Sequence, residues 1–393
     1  MSHPQPVDVL IVGSGPAGLS TALHLAQIDA GWTERMVVVE KAVHPRPKLC
    51  GGGVTRPGEA VLARLGLPFE PPHVPVREVR FVYGQQVYAL HAEPAFRVTR
   101  REVFDHWLVE QAQARGVAVR QGEAVRGITL QPDGVEVVTE KTVFRAQVVV
   151  AADGSRSFVR RALKWPAGAH PPLARLLEVL TPEAESPRPD DPFARGVAVF
   201  DFTPMASGVQ GYTWDFPSLV GGRRMMNRGI FDSRIRAERP RAPLKAALAK
   251  ALARQGRQLA AYPLQGHPIR WFDPAGVFAM PRVLLAGDAA GVDPFVGEGI
   301  AFALGYGGVA AAAIADAFAR RDFRFADYRT RLLRDPIVSP LAGRTALAKF
   351  LYRLRSPRWI ALGWRLAPLI VRLLAWFRPA VMPFPSPRLH KVR

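Results

Sequence analysis

The sequence predicts an α/β fold: a parallel-sheet domain interrupted by a mainly β insertion and followed by a helical, basic tail. Three observations predict it. The chain opens on a strand, a glycine turn, a helix and a second strand that ends in an acid. A later apolar strand delivers one carboxylate, Asp288, to another glycine-rich turn. Between Pro336 and Arg393 there are eleven basic residues and no acidic one.

Val7 to Val12 is the first strand, and it runs into Gly13-Ser14-Gly15-Pro16-Ala17-Gly18 and the largely apolar helix Leu19 to Ile28. In that setting GxGxxG reads as a Rossmann-like dinucleotide site. Gly13 permits the tight turn, Gly15 lets backbone approach a pyrophosphate, and Gly18 lets helix pack on strand, with Pro16 and Ala17 between them at the helix start. The second strand, Met36 to Glu40, ends 22 positions after Gly18. Glu40 is therefore assigned to a ribose hydroxyl, with Lys41 beside it in the cofactor site.

Next comes Pro45-Arg46-Pro47-Lys48-Leu49-Cys50-Gly51-Gly52-Gly53. Three consecutive glycines remove every side chain and let backbone lie close to a flat ligand. Cys50 borders that loop, either facing the reacting centre or packed as a small buried thiol. Arg101 opens a helix carrying Val103, Phe104, Trp107 and Leu108; it reaches a phosphate or the ribityl region, or stays an exposed helix-end cation. Gly122 to Val125 reads as a strand whose backbone meets an adenine. Val148 to Ala152 is another apolar strand, ending in Asp153-Gly154, where the acid supports the cofactor loops or caps a following helix.

Val283 to Ala286 is the strand that presents Asp288, and the chain continues through Pro294, Gly297, Glu298, Gly299 and Ile300 into an Ala-rich helix. Asp288 suits the hydroxyls of a ribityl chain, and free N–H groups at the helix start suit the electron-rich edge of a flavin ring. The alternative is an acid that merely caps a helix.

The cofactor domain is placed in residues 1–80, 97–165 and 268–335, the substrate domain in 81–96 and 166–267, and the basic amphipathic region in 336–393. Glu78 to Leu90 and Gly196 to Phe231 have the strand-like character of a sheet covering a ring. Ala242 to Gln255 reads as a helix and Ser186 to Pro192 as a surface loop.

Lys and Arg number 53 against 33 Asp and Glu, a net charge of +20. A single cysteine excludes an internal disulfide and an iron–sulfur cluster built from this chain's cysteines alone. The nine histidines lack ligand spacing, so no metal is expected, and His267 reads as structural or exposed. The first residues lead directly into a strand, so no secretory signal and a cytoplasmic setting are expected. In the tail, Arg358, Arg365 and Arg372 fall along one helical stripe beside Trp359, Trp364 and Trp376. That is the pattern of a helix lying on an anionic bilayer, peripheral on the cytoplasmic face, or of one packed on the protein's own body. Pro368 divides it, no apolar run there reaches the roughly 18 residues of a span, and the wide apolar face argues against nucleic acid. Oligomeric state is not legible.

These motifs resemble flavoproteins of the para-hydroxybenzoate hydroxylase type and, among them, most of all the geranylgeranyl reductase family. The resemblance extends over most of residues 7–330. It rests on the first glycine motif, Lys48-Leu49-Cys50-Gly51-Gly52, Arg101 with Phe104 and Asp105, Asp153-Gly154, and Gly287-Asp288 through Gly299. A more specific element, Gly211-Tyr212-Thr213-Trp214-Asp215-Phe216-Pro217, is similar to that family's Tyr-x-Trp-x-Phe-Pro signature; Ser218 then stands where the family usually has Lys. The resemblance implies FAD as cofactor and saturation of isoprenoid double bonds, with a hydride from the reduced flavin and a proton from a nearby acid. It makes Cys50 and Tyr212 the catalytic candidates, for positioning or proton delivery. Tyr212, Trp214 and Phe216 become substrate contacts along an apolar channel, unless they are simply alternating core side chains. A prenyl lipid or a quinone is the implied substrate, with NADPH or a ferredoxin-like protein as electron donor. An FAD-dependent monooxygenase hydroxylating an aromatic or quinone substrate would share nearly all the cofactor residues, and a membrane-bound flavin carrier is a further alternative. The halogenase string Trp-x-Trp-x-Ile-Pro is absent.

Overall fold

The structure, a computed structural model, describes residues 3–166, 173–183, 191–354, 356, 358–366 and 390–391. It is organised around two sheets. In the first, strand Gln5–Val12 lies parallel between Met36–Glu40 and Val143–Ala151; Val283–Leu285 extends the sheet on one side and Ala118–Gln121 on the other. Their central residues, such as Leu10, Val38 and Val149, are fully buried. Continuous runs of Val, Ile and Leu are what a parallel sheet covered on both faces requires.

Register decides where the site forms. Val12 pairs with Val39 and with Ala151, and Ala151 pairs with Leu285. The strands therefore end level, and the residues that follow them gather along one carboxyl edge, where α/β sheets bind their ligands. Helix Pro16–Ile28, with proline in its first turn, packs closely on helix Ile300–Arg320. A Cβ on Gly307 of the long helix would lie 2.4 Å from Ser20 Cβ. By length and by its mean hydropathy of 1.6 that helix is apolar enough to cross a membrane, but 78% of the relevant window is buried within the protein. It is the core helix of this domain.

The second sheet is mostly antiparallel. Its strands run in the order Gln265–Ile269, Ala174–Pro182, Arg223–Asp232, Gly211–Val220, Val197–Asp201, His73–Tyr83 and Gln86–Thr99, with Gly53–Thr55 and residues 390–391 pairing onto the last. The division expected at residues 80 and 81 thus falls inside a strand, and Gly53–Thr55, from the expected cofactor segment, joins the second sheet. Strand partners far apart in sequence decide membership, and local pattern does not carry that information.

Residues 122–124 form a bend between strands Ala118–Gln121 and Val125–Gln131, with Gly122 at φ +62°, where a single strand was expected over Gly122 to Val125. The expected helix at Ala242 to Gln255 is formed over Leu244–Ala253. Residues 186–190 of the expected surface loop, and tail residues 367–389 with Arg372 and Trp376, lie outside the described residues.

Candidate active site

At the carboxyl edge of the first sheet, backbone shapes the surface. Gly13 has φ +104°, and a Cβ there would stand 2.5 Å from the carbonyl oxygen of Ala152. A Cβ on Gly18 would meet the Gly13 oxygen at 2.0 Å, so helix and strand touch where any side chain would part them. Gly15 is different. A Cβ on it would find nothing nearer than the Nη2 atoms of Arg46 and Arg101, both at 3.9 Å. An open backbone face at the start of helix Pro16–Ile28, flanked by two guanidinium groups, fits a pyrophosphate. Pro16 and Ala17 are buried in the first turn.

Glu40 lies just beyond. Its carboxylate accepts hydrogen bonds from Ser14 N and Ser14 Oγ, both at 3.0 Å, and from Ala42 N at 3.1 Å, with Arg46 at 3.6 Å. Burial pushes this carboxyl up, but Arg46 and the hydrogen bonds outweigh burial and hold it below the usual range. Arg101, the first residue of helix Arg101–Ala114, is buried and donates to both oxygens of Asp105 at 2.7 and 2.8 Å. Burial opposes its charge and Asp105 more than offsets it. Val125 is half-buried near the Glu40 end, where Glu123 N donates to the Glu40 carbonyl at 2.8 Å. Lys41 is exposed.

On the other side, Asp153 Oδ2 accepts from Val159 N at 3.1 Å, which caps the short helix Phe158–Ala162, while its Oδ1 is buried without a partner. Both sequence alternatives for Asp153 thus have a physical basis. Gly154 has φ +81° and open space around it. Asp288 sits in the turn Gly287–Ala289, half-buried, and accepts from Ser155 Oγ at 3.1 Å. Pro294, Gly297 and Gly299 follow in the loop that leads to Ile300, the first residue of the long helix. The unpartnered Asp153 oxygen, the bare face over Gly15 and the two guanidiniums all fit the dinucleotide that the glycine motif implies.

The Cys50 loop connects this edge to the second sheet. Gly52 has φ +79°, and a Cβ on it would fall 2.0 Å from Thr99 O; Gly53 pairs with Val98. Gly51 lies against Phe216, whose ring would be 3.1 Å from a Cβ there. Cys50 is half-buried, its Sγ 3.4 Å from the Gly52 N–H, and its carbonyl accepts from Asn227 Nδ2 at 3.1 Å. Asn227 Oδ1 in turn accepts from Trp214 Nε1 at 2.8 Å. Trp214 is thus a buried support of the Cys50 loop. Phe216 packs on Phe96 and Phe200, and Tyr212 on Phe200, Phe202 and Phe231. The Tyr212 hydroxyl donates to Val296 O, in the loop after Asp288, and burial pushes its pKa well above the ordinary value.

Three groups escaped the sequence reading. Lys48 Nζ donates to His267 Nε2 at 2.6 Å, so His267 faces the cleft. Burial and then the Lys48 ammonium push His267 down to about 4, which leaves the imidazole neutral and able to accept. Glu178 is buried beside Asn227 and the Cys50 backbone; its Oε2 has no partner, and Arg100 stands 3.8 Å from its Oε1. Burial pushes this carboxyl up to about 7. Arg344 donates to Asp293 at 2.8 Å and Glu298 at 2.6 Å, tying the tail to the loop before the long helix. Each contact joins residues dozens to hundreds of positions apart, so only the Lys48 neighbourhood left a trace, as part of the Cys50 motif. An open apolar groove of about 970 Å³, lined by Leu244, Leu259, Tyr262 and others, includes none of these groups in its lining.

Comparison with known proteins agrees with this geometry. Residues 6–305 match the FAD binding domain family. The chain is 32% identical over 323 residues to a menaquinone reductase of Mycolicibacterium smegmatis, covering 77% of this chain and 75% of that one. It is 28% identical over 346 residues to digeranylgeranylglycerophospholipid reductase 3 of Methanosphaera stadtmanae, covering 82% of each. A geranylgeranyl bacteriochlorophyll reductase-like protein of Thermoplasma acidophilum superposes with a TM-score of 0.75 at 22% identity, over 91% of this chain and 90% of that one, and so shares the fold. The chain belongs to the FAD binding domain family and is an FAD-dependent oxidoreductase.

Proposed function

We propose that this protein saturates carbon–carbon double bonds in the isoprenoid chain of a prenyl lipid or prenylquinone. The observation that carries the reading is the apposition of the Cys50–Gly53 loop, at the cofactor edge, to an aromatic face built from Phe96, Phe200, Tyr212 and Phe216. An apolar wall beside a redox centre suits an alkene chain. The named activities of the menaquinone and digeranylgeranylglycerophospholipid reductases support the same substrate class.

FAD, when bound, supplies the electron pair that the reduction needs. This chain's residues would hold it: Gly13, Gly15 and Gly18 with Arg46 and Arg101 for the pyrophosphate, Glu40 for a ribose, Asp288 for the ribityl chain, and the loop from Pro294 to Ile300 for the ring. Tyr212 keeps its proton and spends its hydroxyl on Val296 O, so it positions that loop. Cys50 Sγ is then the atom that delivers the proton. Ser218, buried with an unpartnered Oγ, puts no cation where the family usually has Lys, which favours an uncharged quinone head group.

The test is anaerobic incubation of chemically reduced protein with menaquinone, a prenyl diphosphate and a digeranylgeranyl phospholipid, read by mass, with a parallel run in air. A gain of hydrogen pairs, greatest on menaquinone, is expected. A gain of oxygen in air without hydrogenation would replace this reading with hydroxylation.

A further inference from the structure

Two helical stretches in the described part of the tail are each fastened to the body by one face. In helix Pro340–Leu351, Leu341, Thr345 and Ala348 point inward. Thr345 Oγ1 donates to Phe272 O at 2.9 Å, and Arg344 grips Asp293 and Glu298. In residues 358–366, Ile360 is buried and the Trp364 ring lies 5.1 Å from Phe202 and 6.5 Å from Tyr88, on the second sheet. The packing alternative raised by the sequence therefore accounts for half of each helix.

The other halves are bare and apolar. Leu347 and Phe350 are exposed on the first helix; Trp359, Leu362 and Leu366, at i, i+3 and i+7, are exposed on the second. These are five of the nine exposed large hydrophobic residues among the described ones, all within twenty positions, so the exposure is concentrated rather than scattered. Exposed Lys349, Arg353, Arg358 and Arg365 flank them, and no acid occurs from Pro336 onward.

We propose that these two faces dock on an anionic bilayer surface. Apolar side chains that enter the acyl boundary, flanked by cations that meet lipid head groups, are the two components of interfacial binding. A second copy of this chain is a poor occupant, because two surfaces rich in cations and lacking acids repel. Trp364 makes the docked helix continuous with the aromatic cluster of Phe202 and Tyr212, so docking also brings the second sheet to the membrane. The docking does not depend on the reductase reading.

Full-length, FAD-loaded protein is sedimented with vesicles of phosphatidylcholine, with or without phosphatidylglycerol. Wild type is expected to co-sediment with the anionic vesicles and to be released by salt. The double variant Trp359→Glu with Leu362→Glu is expected to bind about tenfold more weakly at unchanged FAD content. Arg358→Gln with Arg365→Gln, which leaves the apolar side chains in place, is expected to lose the preference for phosphatidylglycerol. Three results would overturn the proposal: wild type remaining in the supernatant, the Glu variant binding like wild type, or wild type forming a dimer that the Glu variant dissolves while neither meets vesicles. Retention of wild type on duplex DNA but not on vesicles would assign the surface to nucleic acid instead.

Discussion

The two sheets shape the same cleft by different means. Along the parallel sheet the surface is backbone: Gly13 and Gly18 work because nothing is attached to them, and Glu40 holds the turn through N–H groups. Along the second sheet the surface is side chains: Trp214 supports Asn227, Asn227 supports Cys50, and Glu178 lies buried behind them. A backbone surface leaves little tolerance, since any added atom collides. A side-chain surface yields one contact at a time.

The largest test of that contrast is Gly13→Ala. Its methyl would meet the Ala152 oxygen at 2.5 Å with the backbone at φ +104°. We expect a loss of about 4 kcal/mol or more and protein purified without yellow colour, read by denaturation and by flavin absorbance. Retention of flavin at wild-type stability would show that the turn can shift.

Glu178→Gln tests the other side through pH. The folded protein holds this proton up to about 7, whereas an ordinary Glu releases it near 4.5. Between those values the folded state binds more protons than the unfolded one, so stability is full below the lower value and falls as pH rises to the upper. The loss amounts to about 3 kcal/mol. The amide does not titrate. Chemical denaturation at about pH 5 and about pH 8 should therefore show the variant gaining on wild type by most of that amount at the higher pH. Equal gaps at both would mean that the Glu178 carboxyl is ionised in the fold throughout.

Asn227→Ala is the mildest. It strands the Cys50 carbonyl and Trp214 Nε1, at a cost of about 2 kcal/mol, and should raise the rate of Cys50 alkylation. A lower melting temperature with unchanged alkylation would show that the glycine loop holds itself.

The same contrast explains what could be read without coordinates. Gly13, Gly15, Gly18 and Glu40 were legible because a turn and a strand end require particular residue types at fixed spacing. So was Asp288, which follows an apolar strand. The bend at Gly122 was not legible, since four residues with one charge among them show no period that reveals where their hydrogen bonds go. His267 was set aside as a lone histidine, and Trp214 was read as a substrate contact or a core side chain; their partners Lys48 and Asn227 are 219 and 13 positions away.

By itself, the sequence determined the dinucleotide turn, its acid, the glycine loop at Cys50 and the unbalanced charge of the tail, because each depends on local sterics or composition. Only the tertiary structure decided that four strand ends stand level, that the Cys50 loop rests on an aromatic face, and which half of each tail helix is left bare. Those outcomes depend on register and long-range packing, in which energy is shared between residues that the chain itself keeps far apart.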